Sequence, residues 1–307
     1  MADCLVIGGN GFIGSHVVDS LVDRGHSVTV FDRHRPGPPR FTDPSVRVVH
    51  GDFLNAADVR NAVRDQEVVL HLLSTTDPAT AEGDPTIDIR TNITSSVQLF
   101  QVCAEAGVAR VYYASSGGAI YGDQDQQVFR ETDVTLPVSP YAIGKQAIES
   151  YLRYFSRTSA LESTTFRISN PYGPRQNPLK RQGVIPIFLR RVADGQPLTV
   201  FGDGSMIRDY LYVADLAEMI AEVVTAGARE SLYNVGSGVG TSISELVRTI
   251  EEVTGRDVQV ENRPRPATFV DHVVLSVERF EKEFATRATT SLPDGIRRTW
   301  EEITSNG

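Results

Sequence analysis

Cysteine, lysine and long apolar runs are all scarce in this chain. Of its 307 residues only Cys4 and Cys103 are cysteines. They stand far apart inside apolar segments, which excludes a disulfide framework and a zinc site built from cysteine pairs. Two small core thiols in a reducing cytoplasm are expected instead. No apolar run approaches the ~20 residues that a membrane-spanning helix needs. The start, MADCLVIGGNGFIG, has no basic stretch ahead of an apolar one and passes straight into a strand, so no signal peptide is expected. Positive charge is in deficit. Thirty Lys and Arg against 39 Asp and Glu give a formal charge of −9, which argues against a nucleic-acid or anionic-membrane surface. Among the basic residues only Lys145, Lys180 and Lys282 are lysines, so a lysine inside a motif stands out.

What is present is ordinary globular composition, 40% hydrophobic and 22% charged, which rules out a disordered or fibrous chain. The length suits one large or two fused α/β units. CLVIG (4–8), SVTVF (27–31), VRVVH (46–50), VVLHLL (68–73) and ARVYYAS (109–115) are short, apolar and often β-branched. Helical patterns near 13–24, 56–65, 86–107 and 140–159 separate them. This rhythm predicts a doubly wound parallel sheet, a Rossmann fold, covered on both faces. After FRISNPYG (166–173) the pattern becomes irregular and proline-rich, then yields a helix near 213–226 and a strand at 232–236. Ser242 and Glu245 are spaced as a capping box for a further helix. The expected division is a dinucleotide-binding domain over 1–170, rejoined by about 205–240, with a smaller mixed domain from 171–204 and 241–307. RPGPPR (35–40) reads as a stiff surface loop and ERFEKEF (278–284) as a solvated helix face.

Two motifs carry chemistry. Gly8-Gly9-Asn10-Gly11-Phe12-Ile13-Gly14 lies between the first strand and the first helix. Gly8, Gly11 and Gly14 provide a tight turn, a close backbone approach and close helix packing, and the helix N-terminus offers free N–H groups to a pyrophosphate. The next strand ends in Asp32, 18 residues after Gly14. A carboxylate there accepts from a ribose 2′-OH and repels a 2′-phosphate, which favours NAD over NADP; Arg33 beside it weakens that preference without reversing it. The second motif is Tyr141-Ala-Ile-Gly-Lys145, opened by Ser139 as N-cap and Pro140 as first helical residue. The i, i+4 spacing puts Tyr141 and Lys145 on one face. The ammonium, the positive helix end and an oxidised nicotinamide all favour the phenolate, so Tyr141 reads as a general base.

These motifs, with GDFLN, TNITSSVQL, ASSGGAIYG, RISNPYGPRQ, FGDGSMIRDYLYVADL and YNVGSG in the same order, resemble the extended short-chain dehydrogenase/reductase superfamily. Within it the chain resembles the NAD-dependent nucleotide-sugar epimerases and dehydratases, most of all the UDP-glucose 4-epimerases. The resemblance implies that Phe12 and Ile13 lie beside the pyrophosphate and that Asp52 and Phe53 flank the adenine. It puts Leu72, Leu73 and Ser74 on the nicotinamide side with Asn92, Ser115 and Ser169 nearby. For the sugar nucleotide it implies Asn170, Thr199 and Phe201, with Arg208 and Arg265 as diphosphate clamps. It also implies a homodimer built on the helices at 92–107 and 140–159. No metal is implied.

The chain departs from the family pattern at one place. Where related epimerases carry a third serine, this chain has Gly117, so Ser116 or water would take over that hydroxyl's contact with the sugar, and direct proton transfer to Tyr141 gains weight. Related 4,6-dehydratases carry an Asp-Glu pair at the positions of Gly118 and Ala119, and UDP-glucuronate decarboxylases a glutamate. Neither acid is present. The expected reaction is 4-epimerisation of a UDP-hexose through a 4-keto sugar. His272, aligned with a gate residue of the family, tilts the expectation to non-acetylated hexoses. A UDP-uronate epimerase or decarboxylase, a 4-reductase and a non-catalytic NAD-binding regulator on the same fold stay open as alternatives.

Overall fold

The computed structural model describes residues 1–179 and 183–305. Five apolar runs of the first half become strands β1 (Asp3–Ile7), β2 (Ser27–Asp32), β3 (Arg47–His50), β4 (Val68–His71) and β5 (Arg110–Ser116), followed by β6 (Glu162–Ile168). Between them lie helices α1 (Phe12–Asp23), α2 (Ala56–Val63), α3 (Pro78–Gly83), α4 (Thr94–Ala106), α5 (Gly117–Ile120) and α6 (Pro140–Thr158). A π-helical turn, Ile89–Ile93, runs directly into α4. Ser139 caps α6 through its side chain, accepting from the Ala142 N–H at 3.3 Å, with Pro140 in the first turn.

The second half supplies β7 (Asn170–Tyr172), α7 (Val184–Ala193), β8 (Leu198–Phe201), β9 (Ile207–Tyr212), α8 (Val213–Ala226) and β10 (Leu232–Val235). Then follow β11 (Gly240–Ser242), α9 (Ile243–Thr254), β12 (Val260–Arg263), β13 (His272–Val273), α10 (Glu278–Glu283) and α11 (Leu292–Ser305). The capping box of α9 forms in full, with Ser242 and Glu245 each accepting from the other's backbone N–H.

The central sheet is seven-stranded, in the order β10-β6-β5-β4-β1-β2-β3. Every pair in it is parallel. The chain winds outward from β1 through β2 to β3, then resumes at β4 on the other side. That reversal opens a crevice at the carboxyl ends of β1 and β4, where doubly wound sheets bind ligands. One face of the sheet packs on α1 and α8 through Val17, Leu21, Leu216 and Ile220. The other packs on α2, α4 and α6 through Val59, Leu99, Phe100, Ile148 and Leu152. Both faces are apolar, which is why these strands read as continuous hydrophobic runs.

The irregular remainder forms smaller sheets. β9 pairs antiparallel with β11 and parallel with β7 and β13, and β8 pairs parallel with β12. Their core is separate, built on Ile185, Phe188, Leu246, Ile250 and Ile296. The solvated-face reading of 278–284 needs correction: Phe280 and Phe284 are buried against Tyr233, because this short helix covers the β10 edge of the main sheet. RPGPPR (35–40) is an exposed loop as expected.

Candidate active site

The glycine turn closes on itself at the end of β1. The Gly11 N–H donates to the Gly8 carbonyl at 2.9 Å. A Cβ placed at Gly14 would collide with the Gly8 carbonyl oxygen, so no larger residue fits. Gly11 is the N-cap of α1 and no side chain among the described residues caps the helix. The N–H groups of Phe12 and Ile13 are thereby left for an anion. Asp32, at the end of β2, is 4% exposed; its carboxylate accepts from the Asn10 N–H at 3.2 Å and the Arg33 N–H at 2.8 Å. The Arg33 side chain turns away to Asp52, 3.1 Å off, so it does not neutralise Asp32. Arg35 approaches Asp32 at 3.4 Å. Phe53 turns its ring into the core against His71, 5.1 Å between centroids.

At the centre of the crevice, the ends of β4 and β5 meet the first turns of α6. Leu73, Ser74 and Asn92 line a small pocket with Tyr141 and Lys145. Leu72 packs against the main core instead. Asn92 holds the loop after β4, accepting from the Thr75 N–H at 2.9 Å. Lys145 is buried, donates to the Ala114 carbonyl at 2.9 Å, and lies 5.7 Å from the centre of the Tyr141 ring. Burial pulls its ammonium down to about 8. Tyr141 behaves differently from the sequence expectation. Burial, with the nearby Asp88 carboxylate adding to it, pushes the phenol up to about 12, and only the Ser116 hydroxyl opposes. The expectation weighed the ammonium, the helix end and an oxidised nicotinamide but not desolvation, and among the protein's own groups desolvation wins. The protein's own groups thus hold Tyr141 as a phenol.

The missing serine has a steric cause that no motif could reveal. A Cβ at Gly117 would come within 2.6 Å of Leu275 Cδ1 and 2.9 Å of the Arg167 carbonyl. Leu275, from the segment after β13, fills that space. Gly117→Ser is therefore expected to lower activity rather than restore a relay. Gly117→Ser with Leu275→Ala should recover part of the loss in steady-state assays, and a gain in the single variant would contradict this account. Gly118 is less confined: a Cβ there would sit 3.2 Å from the Asn170 amide oxygen, at the movable end of that side chain. Asn170 donates to the Asp209 carbonyl at 3.1 Å.

The remaining candidates lie in the smaller sheets. Arg208 is tied to the segment before β13, donating to the Val270 carbonyl at 2.6 Å, and to its own strand through the Ile207 carbonyl at 2.8 Å. Arg265 forms an ion pair with Asp271 of the same segment. Thr199 and Phe201 stand on β8, where Phe201 meets Phe269 edge-on at 5.4 Å. His272 sits in β13 with its ring against the Gln127 carbonyl at 2.5 Å. Sequence reasoning missed Asp88, Leu275 and Asp271. Only Asp88 left a trace, four residues before Asn92 and so on its face of the helical pattern.

Ser115 and Ser169 stand at or just beyond the ends of β5 and β6, buried, with hydroxyls that have no partner among the described residues. Buried polar atoms are normally satisfied, so such atoms mark a place for a polar ligand. With the glycine turn, they fit a dinucleotide. No group of metal-ligating side chains occurs among the described residues.

A glycine-turn crevice at the switch point of a doubly wound sheet, joined to a Tyr-Lys pair, defines a dinucleotide-dependent enzyme scaffold. Residues 4–236 match the NAD dependent epimerase/dehydratase family, and the chain belongs to that family. NAD is its cofactor. Among relatives, the UDP-glucose 4-epimerase of Mycolicibacterium smegmatis is 31% identical over 303 residues, covering 97% of each chain. The structure of Thermotoga maritima UDP-glucose 4-epimerase with UDP-glucose superposes with a TM-score of 0.92 at 32% identity, covering 99% of each chain. That of the Thermus thermophilus UDP-glucose 4-epimerase with NAD gives 0.92 at 32% identity, over 99% of this chain and all of the other.

Proposed function

We propose that this enzyme interconverts the C4 epimers of a UDP-hexose, of the UDP-glucose/UDP-galactose type, through a transient 4-keto sugar. The observation that carries the reading is Tyr141 and Lys145 in one pocket beside Gly117-Gly118-Ala119, a stretch that supplies no acid for elimination or decarboxylation. NAD, when bound, supplies the hydride acceptor and donor at C4, so no net redox change results. Tyr141 removes the proton of the 4-OH and returns it to the same oxygen after the keto sugar has turned its other face about the diphosphate linkage. Lys145 holds the nicotinamide ribose and stabilises the phenolate as it forms. Ser116, next to the phenol, orients the sugar hydroxyl that Gly117 cannot reach. Gly8, Gly11, Phe12, Ile13 and Gly14 hold the pyrophosphate, and Asp32 the adenosine ribose. Arg33 and Asp52 form the rim of the adenine site.

On the sugar-nucleotide side, Arg208 and Arg265 anchor the diphosphate, which keeps the sugar from escaping while it turns. Thr199 and Phe201 lie along the uracil, and Asn170 meets the sugar nucleotide. His272 at the gate favours non-acetylated hexoses. The test is incubation with a panel of UDP-sugars and NAD⁺, followed by NMR. Accumulation of the C4 epimer of UDP-glucose or UDP-galactose supports the reading. Release of CO₂ overturns it in favour of a decarboxylase on a uronic acid, and NADH consumed in step with product when a 4-keto sugar is supplied overturns it in favour of a reductase.

Buried Asp32, with Arg33 diverted to Asp52, supports NAD over NADP. Calorimetry should give tighter binding of NAD⁺, because a 2′-phosphate would face the Asp32 carboxylate; the reverse order would contradict the assignment. We propose a homodimer as well. Helix α6 packs on α4 and leaves Ile143, Tyr151 and Tyr154 exposed. Light scattering should give the mass of two chains at micromolar concentration, and a concentration-independent mass of one chain would rule this out. The proposed domain division keeps 1–170 and about 205–240 with the main sheet and assigns the rest to the sugar nucleotide; within it β9 is hydrogen-bonded to the smaller sheets, and α8 and β10 carry the return to the main one. A cytoplasmic location is supported by the two buried, unbridged cysteines. No described helix is long and apolar enough to cross a membrane.

A further inference from the structure

Tyr141 and Lys145 share their pocket with a carboxylate that the mechanism above does not use. Asp88 precedes the π-helical turn and is 3% exposed. π turns inside helices are rare and frequently stand at functional sites. One carboxylate oxygen accepts from the Thr76 hydroxyl at 2.6 Å and from the Asn92 amide. The other, Oδ2, is buried with no partner among the described residues. Helix α6 is shaped around it. A Cβ at Gly144, the residue before Lys145, would lie 3.3 Å from Asp88 Cβ and 3.6 Å from Oδ2, so the glycine lets the carboxylate lie against the helix.

The groups facing this pair can be taken element by element. Glu149, one turn further along α6, favours the charged Lys145 too, but less than Asp88 does, and is committed to Arg167 at 2.8 Å. His71 on β4 is driven down to about 3 by burial, with Lys145 adding, and is neutral. Tyr113 on β5 lies under the Lys145 ammonium, 5.0 Å away, with its phenol pushed well up by burial. Asp77, at the start of α3, acts on Tyr141 more weakly than Asp88 does. Asp88 is thus the buried anion of this pocket with no arginine or lysine at ion-pair distance among the described residues, and Lys145 lines the same pocket.

We propose that Asp88 is a positioning residue of the Tyr141–Lys145 pair, its carboxylate keeping the ammonium charged and the phenol protonated in the resting enzyme. The inference rests on the reading of Tyr141 as the base. Asp88 acts through charge on both partners: it favours the protonated form of each, so its removal moves both protonation steps toward acid.

The chain's three lysines make this measurable without substrate. In protein carrying ¹³Cε-lysine, Lys145→Arg identifies the buried signal by its loss. Asp88→Asn should move that signal's titration midpoint down by about one unit, the effect of losing one nearby opposite charge. Asp88→Ser, also uncharged, should move it the same way, so a fold defect in one variant leaves the other to decide. The acid limb of the pH–rate profile should follow, because the phenol ionises at lower pH once the carboxylate is gone. An unmoved lysine midpoint in a folded Asp88→Asn or Asp88→Ser overturns the proposal. Normal turnover in Tyr141→Phe would instead overturn the base assignment while leaving the lysine titration to judge Asp88.

Discussion

Tyr141→Phe is expected to lower turnover of a UDP-hexose by about 10²–10⁴-fold, the usual scale for a lost general base, while UDP-sugar affinity barely changes. The ring keeps its place in the pocket and beside the Lys145 ammonium, and only the ionisable oxygen is gone. Ser116 cannot replace it, since an unassisted hydroxyl is a poor base, and Gly117 to Ala119 offer no titratable group. Turnover and affinity should therefore separate. Steady-state rates and calorimetry on the same preparation check this, and near-normal kcat in the variant would remove Tyr141 from the chemistry.

The second large effect concerns stability. Glu149 on α6 and Arg167 on β6 form a buried ion pair, each side chain 7% exposed, with two hydrogen bonds at 2.8 and 3.2 Å. Arg167 also donates to the Tyr121 hydroxyl at 3.1 Å, which donates to Asn234 on β10 at 2.7 Å. The network ties α6, and with it Tyr141 and Lys145, to β6 and β10 of the main sheet and to the turn after α5. Burial alone would weaken the guanidinium's hold on its proton, but Glu149 more than reverses that and raises it. Glu149→Leu leaves this cation buried without its partner. A loss of about 3–5 kcal/mol in unfolding free energy is expected, the range for breaking rather than replacing a buried pair. Chemical denaturation measures it, and a loss below about 1 kcal/mol would show that the pair is not what fixes α6.

The first half of the fold was legible because its signals are local. Glycines at 8, 11 and 14, apolar runs such as CLVIG and SVTVF, and the Ser139-Pro140 start of α6 each dictate structure within a few residues. The short strands β8, β9, β12 and β13 left weak marks, since each is held by a partner distant in sequence: His272 lies beside Ile207, and Glu261 beside Thr199. The site followed the same division. Tyr141 and Lys145 are a spacing and could be read. Leu275 filling the space at Gly117 and Asp88 reaching under Gly144 are contacts between segments remote in sequence; periodicity puts Asp88 on the face of Asn92 but does not show what it touches. The Asp271–Arg265 pair is nearer in sequence but depends on how the irregular segment before β13 folds back, which no period encodes. The direction of the Tyr141 shift was likewise hidden, because desolvation depends on how completely the pocket closes.

The central claim is that one carbon, C4, is oxidised and re-reduced within a single binding event. Incubating the enzyme and NAD⁺ with UDP-[4-²H]glucose in ordinary water tests it directly. The account predicts UDP-galactose that keeps its deuterium at C4, with no build-up of NADH. Product with the label washed out to solvent, or a product lacking the C4 hydroxyl configuration change, would contradict it.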